Sequence, residues 1–155
     1  MIELQYASFV CLALITVPVS WIMPRDIAFD AVALWTALVL FLLSPASLIW
    51  LGLTSVGVPL LMRETRNGAR GPMTGLICIL LIGGLVAARS LPTLAWLGGA
   101  FFTLRGLHVT LDWWMGRLQP PSLRDSFRYF FFLPVIAAGP INRMPHFQSQ
   151  LRRRR

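Results

Sequence analysis

No lysine occurs in this chain, and acidic residues number only six. Charged residues of both signs make up 13% of the 155 residues, about half the ~25% of an ordinary soluble domain. Hydrophobic residues make up 56%, and mean hydropathy is +0.67. That much apolar surface is more than one core can hide, because a small chain has little interior relative to its surface. The composition therefore argues against a soluble fold and for an integral membrane protein. The two cysteines, Cys11 and Cys78, both lie inside apolar runs. They are too few for a disulfide framework and read as small buried hydrophobes. No internal repeat is present, and no low-complexity tract beyond the terminal Arg152 to Arg155.

What charge there is comes mostly from arginine, and the net charge is +8. Such a basic balance raises nucleic acid as a partner, but no RNA- or DNA-binding pattern is present. The arginines instead sit at the margins of apolar runs: Arg25, Arg63, Arg66, Arg70, Arg89, Arg117 and Arg124. Membrane proteins mark their loops in this way. The partners expected are membrane lipids, with no nucleic acid.

The apolar runs predict an all-α, polytopic membrane bundle of about five transmembrane helices plus a C-terminal re-entrant helix, all in one domain. The expected crossings are 4–23, 27–44, 46–62, 73–88 and 91–116, and the re-entrant segment is 123–141. The first run is uncharged and about the ~20 residues needed to cross ~30 Å of hydrocarbon. Glu3 at its start and Trp21 and Met23 at its end favour a retained helix over a cleaved signal. Residues 27 to 62 are too long for one crossing at ~1.5 Å per residue. Ser44-Pro45 is the natural break, since the residue before proline avoids the helical region. The basic segments 63–72 and 117–128 should both face the cytoplasm, which places the N-terminus outside.

Inside the run 91–116, Arg105, His108 and Asp112 recur at spacings of three and four. On a helix these positions share one face. Ionisable groups at membrane depth usually face a bundle interior or a wet cavity. The three side chains could neutralise one another and pin the helix to its neighbours, or line a substrate cavity, or place His108 for catalysis. A metal site lacks its third and fourth ligands, and no serine or cysteine is placed as a nucleophile for the histidine. No catalytic residue and no metal ligand is assigned.

Residues 130–139, FFFLPVIAAG, are apolar but too short to span in comfort. Runs of ~10–14 residues are more often re-entrant or interfacial. Pro134 and the Gly139-Pro140 pair break the helical hydrogen-bond ladder. Such backbone is tolerated at depth only where protein or a water-filled cavity covers it. Asn142 and Arg143 follow the break, and Arg143 is suited either to an anionic ligand group or to lipid headgroups.

The stretch FFTLRGLHVTLDWWMGR, followed by PPSLRDSFRYFFFLPVIAAGPINRMPHFQSQL, resembles the membrane-bound O-acyltransferase (MBOAT) family. The nearest branch holds the bacterial alginate O-acetyltransferases and the D-alanyl exporters of teichoic acid. The matching positions are Phe101, Thr103, Asp112, Gly116, the run Ala138-Gly139-Pro140-Ile141 with Arg143, then Phe147, Gln150 and Leu151. The match covers residues 96 to 151. Departures include Leu97 to Ala100 in place of Gly-Ile-Ser and Met115 in place of a base, while Arg105 and His108 stand where many members are uncharged. The resemblance implies a bacterial inner-membrane protein whose acyl donor is acyl-CoA or an acyl carrier protein, with no bound cofactor. The acceptor it implies is a hydroxyl of an exported polysaccharide or cell-envelope polymer.

The resemblance also implies that the family's acyl-transfer histidine lies beyond residue 155. This chain then corresponds to the N-terminal portion, inactive alone, whose partner is the missing C-terminal part or a periplasmic acyltransferase. His108 and His146 do not match that histidine. The alternative is a non-catalytic membrane scaffold that binds lipid or a partner through its polybasic tail. A transporter fragment also accommodates a broken helix.

Overall fold

The computed structural model describes residues 25–65, 68–90, 99–132 and 143–153, together with positions 18 and 22. The expected first crossing, 4–23, otherwise lies outside the described residues. Among the described residues there is no strand. The helices are α1 (Arg25–Leu43), α2 (Pro45–Glu64), α3 (Arg70–Arg89), α4 (Gly99–Trp114), α5 (Leu123–Phe130) and α6 (Met144–Arg153).

Local chemistry explains the boundaries. Ser44 separates α1 from α2, and Pro45 takes the first turn of α2, where its missing N–H is not needed. The Ser44 hydroxyl caps α2, accepting from the Ser47 amide at 3.4 Å and lying 2.8 Å from the Ser47 hydroxyl. Pro59 sits inside α2, yet the helix runs on to Glu64. At the far end of α4, Gly116 takes φ +73°, a left-handed conformation that glycine adopts without a Cβ penalty. The Gly116 amide donates to the Trp113 carbonyl and the Arg117 amide to the Asp112 carbonyl. This paired pattern closes a helix end with its last carbonyls satisfied. Ser122 caps α5, accepting from the Asp125 amide at 3.0 Å.

Helices α1 to α4 alternate in direction, and named contacts show which ends meet. Arg63 at the end of α2 donates to the Pro121 carbonyl at 2.9 Å. Arg70 at the start of α3 lies over the Trp113 ring near the end of α4, at 5.8 Å. Asp30 near the start of α1 pairs with Arg124 and Arg128 of α5. One end of the bundle thus carries Arg63, Arg70, Arg124 and Arg128. It brings together the 63–72 and 117–128 segments, which the arginine pattern assigns to one side.

The interior is apolar, built from residues such as Leu40, Leu51, Met62, Ile77, Phe102 and Trp113. Buried hydroxyls satisfy themselves along their own helices: Thr36, Thr54, Thr103 and Thr110 each donate to the carbonyl four residues back, at 2.8–2.9 Å. Two glycines permit close helix approach. A Cβ on Gly84 of α3 would meet the Trp50 ring at 2.1 Å, and one on Gly106 of α4 would meet Leu81 and Thr54 at 3.0 and 3.1 Å.

Two helices, α2 and α3, are long and apolar enough to cross a membrane; 20 residues span about 30 Å. Only 39% and 22% of their most apolar windows are buried. Leu53, Leu60, Ile79, Leu80, Ile82 and Val86 stay exposed on them. A core helix of a soluble protein would be mostly covered, so this surface is suited to lipid. The apolar stretch of α1 is shorter, Ile27–Leu43, and α4 begins at Gly99 with residues 91–98 outside the described region.

Candidate functional site

The inward face of α4 presents Phe102, Arg105, Val109 and Asp112, all buried. Arg105 is 1% exposed, a full cation in the middle of the bundle. Its guanidinium lies over the Tyr129 ring at 4.2 Å and the Phe101 ring at 5.7 Å. Nη1 donates to the Phe130 carbonyl at 3.4 Å. Phe130 is the last residue of α5, so the cation meets the negative end of a helix dipole. Two π faces, a carbonyl and that dipole together do what a carboxylate would otherwise do. The Nε atom has no hydrogen-bond partner among the described residues.

Asp112 does not neutralise Arg105. Seven residues along a helix place it about 10 Å away, and the ion pairs among the described residues both centre on Asp30. Asp112 is 3% exposed, and its Oδ2 has no hydrogen-bond partner among the described residues. His108 lies between them on the chain, half-buried, and joins neither by a hydrogen bond or ion pair among the described residues. The mutual-neutralisation reading of the stripe therefore fails, for a simple reason. The long Arg105 side chain reaches across to α5 instead of along its own helix.

Helix α5 is held at both ends. Near its start, Arg124 pairs with Asp30 Oδ2 at 2.5 Å. Arg128 grips the same carboxylate with two nitrogens, Nε to Oδ1 and Nη2 to Oδ2, the latter at 2.7 Å. Its last carbonyl is held by Arg105. The helix thus runs from the basic end toward the depth of Arg105, with Ser126, Arg128, Tyr129 and Phe130 buried.

Of the motif residues, Gly139, Pro140 and Asn142 lie outside the described residues, as does the rest of 133–142. The residues flanking that stretch lie together. Phe132 and Phe147 have ring centroids 5.9 Å apart, and both pack on Phe29, at 5.7 and 5.8 Å. Arg143 is exposed just before α6, its carbonyl accepting from the Phe147 amide at 3.0 Å.

No protein-family model, curated protein or solved structure matches this chain.

The geometry offers a fixed positive charge and a separate buried carboxylate. Among the described residues no three His, Cys, Asp or Glu side chains converge as metal ligands. A groove of about 610 Å³ lies elsewhere, between α2 and α3, and is not lined by Arg105, His108 or Asp112. Reading the sequence alone misses Tyr129 and the Asp30 clamp. Arg124 and Arg128 one helical turn apart are a visible signal for a shared anion, but their partner is 94 and 98 residues away. Nothing local selects Asp30.

Proposed function

We propose that this chain forms the N-terminal wall of a membrane-bound O-acyltransferase. In this reading it is a polytopic bundle in the bacterial inner membrane, with five crossings and a re-entrant segment over 123–141. It takes part in moving an acyl group, acetyl in the simplest case, from acyl-CoA or an acyl carrier protein to a hydroxyl of an exported polymer. The histidine that performs the transfer comes from outside this chain, and imidazole suits the role because it titrates near neutrality.

One observation carries the reading. Helix α5 enters from the basic end and stops at the depth of Arg105, and the residues on either side of 133–142 meet at Phe132 and Phe147. A segment that spanned the membrane would separate its flanks by about 30 Å. Both flanks pack on Phe29, the neighbour of Asp30 at the basic end, which supports a dip that returns to its own side. Arg105 and Asp112 face the bundle interior on the neighbouring helix α4, and Arg143 lies exposed on the returning flank.

Cysteine labelling tests the topology. With Cys11 and Cys78 replaced by alanine, single cysteines at Leu123 and Arg143 should react from the same face of sealed vesicles. Labelling of position 143 from the opposite face overturns the reading. For the chemistry, the purified chain alone should not transfer acetyl from acetyl-CoA to a polysaccharide. Turnover abolished by His108→Ala would place the transfer histidine inside this chain and overturn the assignment.

A second reading, a non-catalytic membrane scaffold, is favoured by the way the Arg105 guanidinium is engaged internally. Arg105 is occupied by Tyr129, Phe101 and the Phe130 carbonyl. Co-expression with a chain that carries the transfer histidine separates the two readings. A wall of the enzyme restores acetylation, and a scaffold of another kind does not.

A further inference from the structure

Four buried side-chain atoms have no hydrogen-bond partner among the described residues: Thr74 Oγ1, Arg105 Nε, Asp112 Oδ2 and Ser126 Oγ. Native folds rarely leave such atoms unsatisfied, and water is a common missing partner. The four are not scattered. Arg105 marks the deep limit, and the others lie between it and the basic end. Thr74 is one turn into α3 from Arg70, Asp112 adjoins the Trp113 ring that Arg70 covers, and Ser126 is four residues past the start of the Ser122 cap.

Three of them share one seam. Ser126, Tyr129 and Phe130 stand at spacings of three and four, on one face of α5. That face meets Arg105, through the Tyr129 ring and the Phe130 carbonyl. Arg124 and Arg128 take the other side of α5, on Asp30 of α1. Arg105 and Asp112, two turns apart, share a face of α4. Helix α4 runs toward the basic end and α5 away from it. With Arg105 level with Phe130, Asp112 lies about 10 Å nearer the basic end and Ser126 about 6 Å nearer. Ser126 therefore falls between the cation and the carboxylate, at steps in depth of about 6 and 4 Å. Those steps are too long for a direct hydrogen bond and suit one water with two bonds of about 2.8 Å. The chemistry also runs one way: a guanidinium nitrogen donates, a carboxylate accepts, and a hydroxyl between them does both. Ser126 is 0%, Arg105 1% and Asp112 3% exposed, so such waters are enclosed by protein.

We propose that Arg105 Nε, Ser126 Oγ and Asp112 Oδ2 bind two ordered waters between α4 and α5, one on each side of Ser126. The deeper water accepts from Arg105 Nε and donates to the Ser126 hydroxyl. That hydroxyl donates to the second water, which donates to Asp112 Oδ2. Each of the three atoms gains its missing partner. The cation and the carboxylate, which do not touch, are joined through solvent, and Ser126 is the pivot. The seam becomes the wet side of a bundle whose outer surface is apolar. The inference rests on the packing of α5 against Arg105, and not on acyl transfer.

Substituting Ser126 by alanine separates a wet seam from a dry one. In a dry seam the substitution removes a hydroxyl that nothing satisfies, and stability holds or rises. In the relay it strips a partner from both waters, so the unfolding equilibrium constant in mixed micelles should rise at least about fivefold. A second readout follows water directly. With Cys11 and Cys78 replaced by alanine, the thiol of Ser126→Cys should exchange its proton in D2O at least about tenfold faster than that of Val39→Cys, read from the S–H stretch in infrared spectra. Val39 is also buried, 1% exposed, but lies in the apolar interior. Unchanged or raised stability of Ser126→Ala overturns the proposal, as does a Ser126→Cys thiol that exchanges no faster than the Val39→Cys thiol. Should the variants fail to fold, the wild-type chain decides: magnetic resonance cross-peaks from bound water to Ser126 are expected, and their absence overturns the site. The topology test fails separately, since labelling of position 143 from the far face removes the acyltransferase wall and leaves the waters in place, whereas a dry Ser126 removes only the waters.

Discussion

Substituting Gly84 by alanine tests the packing of α2 on α3 with one carbon atom. An added Cβ would lie 2.1 Å from Cη2 and 2.5 Å from Cζ3 of Trp50, where non-bonded carbons prefer about 3.5–4.0 Å. The ring must retreat by more than about 1 Å, and it cannot do so while Nε1 keeps its 3.2 Å bond to Thr103. Overpacking of this kind costs about 1–3 kcal/mol, and the lost hydrogen bond a further ~0.5–1.5 kcal/mol. The gain in helix propensity from glycine to alanine offsets about 1 kcal/mol. A net loss of about 1–3 kcal/mol is expected. Gly83→Ala is the internal control, since its Cβ enters open space, and it should be neutral or stabilising by up to ~1 kcal/mol. Reversible unfolding of both variants in mixed micelles, followed by far-UV circular dichroism, measures the difference. A double-mutant cycle with Trp50→Ala should show a coupling of at least ~1 kcal/mol, because removing the ring removes the clash. Indistinguishable Gly84→Ala and Gly83→Ala, or no coupling to Trp50, would refute the close approach of the two helices.

Three other perturbations have expected outcomes. Asp30→Asn leaves Arg128, 5% exposed, without its carboxylate. It should destabilise by about 2–4 kcal/mol, whereas Arg124→Ala, on a side chain 65% exposed, should cost less than ~1 kcal/mol in the same unfolding assay. Arg105→Met removes a buried cation that has no carboxylate partner among the described residues, so global stability should change by less than ~1 kcal/mol or rise. Amide exchange at Phe131 and Phe132 should nonetheless accelerate by about tenfold as the end of α5 is released, and Arg105→Lys should preserve most of the protection. Gly116→Ala forces a side chain into a left-handed conformation at φ +73° and should cost about 1 kcal/mol, read as a lowered unfolding midpoint.

Much of the helical layout was legible because it depends on local rules. Proline after Ser44 ends α1 and starts α2, and apolar run length against bilayer thickness marks α2 and α3. Asp112 and Gly116, singled out in the sequence, take part in one backbone motif that closes α4. The polar stripe was legible as a face but not as a set of contacts. Spacing alone leaves three roles open for Arg105, His108 and Asp112: neutralising one another, lining a cavity, or placing His108 for catalysis. In the structure, Arg105 turns to Tyr129 and Phe130, His108 stays partway out, and Asp112 Oδ2 meets no hydrogen-bond partner among the described residues.

Composition and run length were enough to specify helices, their apolar surfaces and the crowding of arginine in particular segments. Those properties follow from each residue's own transfer energy and backbone preference, and they need no knowledge of neighbours. Only the tertiary structure decided that Asp30 clamps α5, that Trp50 lies across Gly84, and that a buried arginine ends a helix rather than meeting an acid. Each of these joins residues 25 to 98 positions apart, and a helix face in an apolar bundle offers several partners of nearly equal worth. The choice among them is made by packing, because the contacts that fill space without leaving a charge unsolvated can be found only once all the helices are in place.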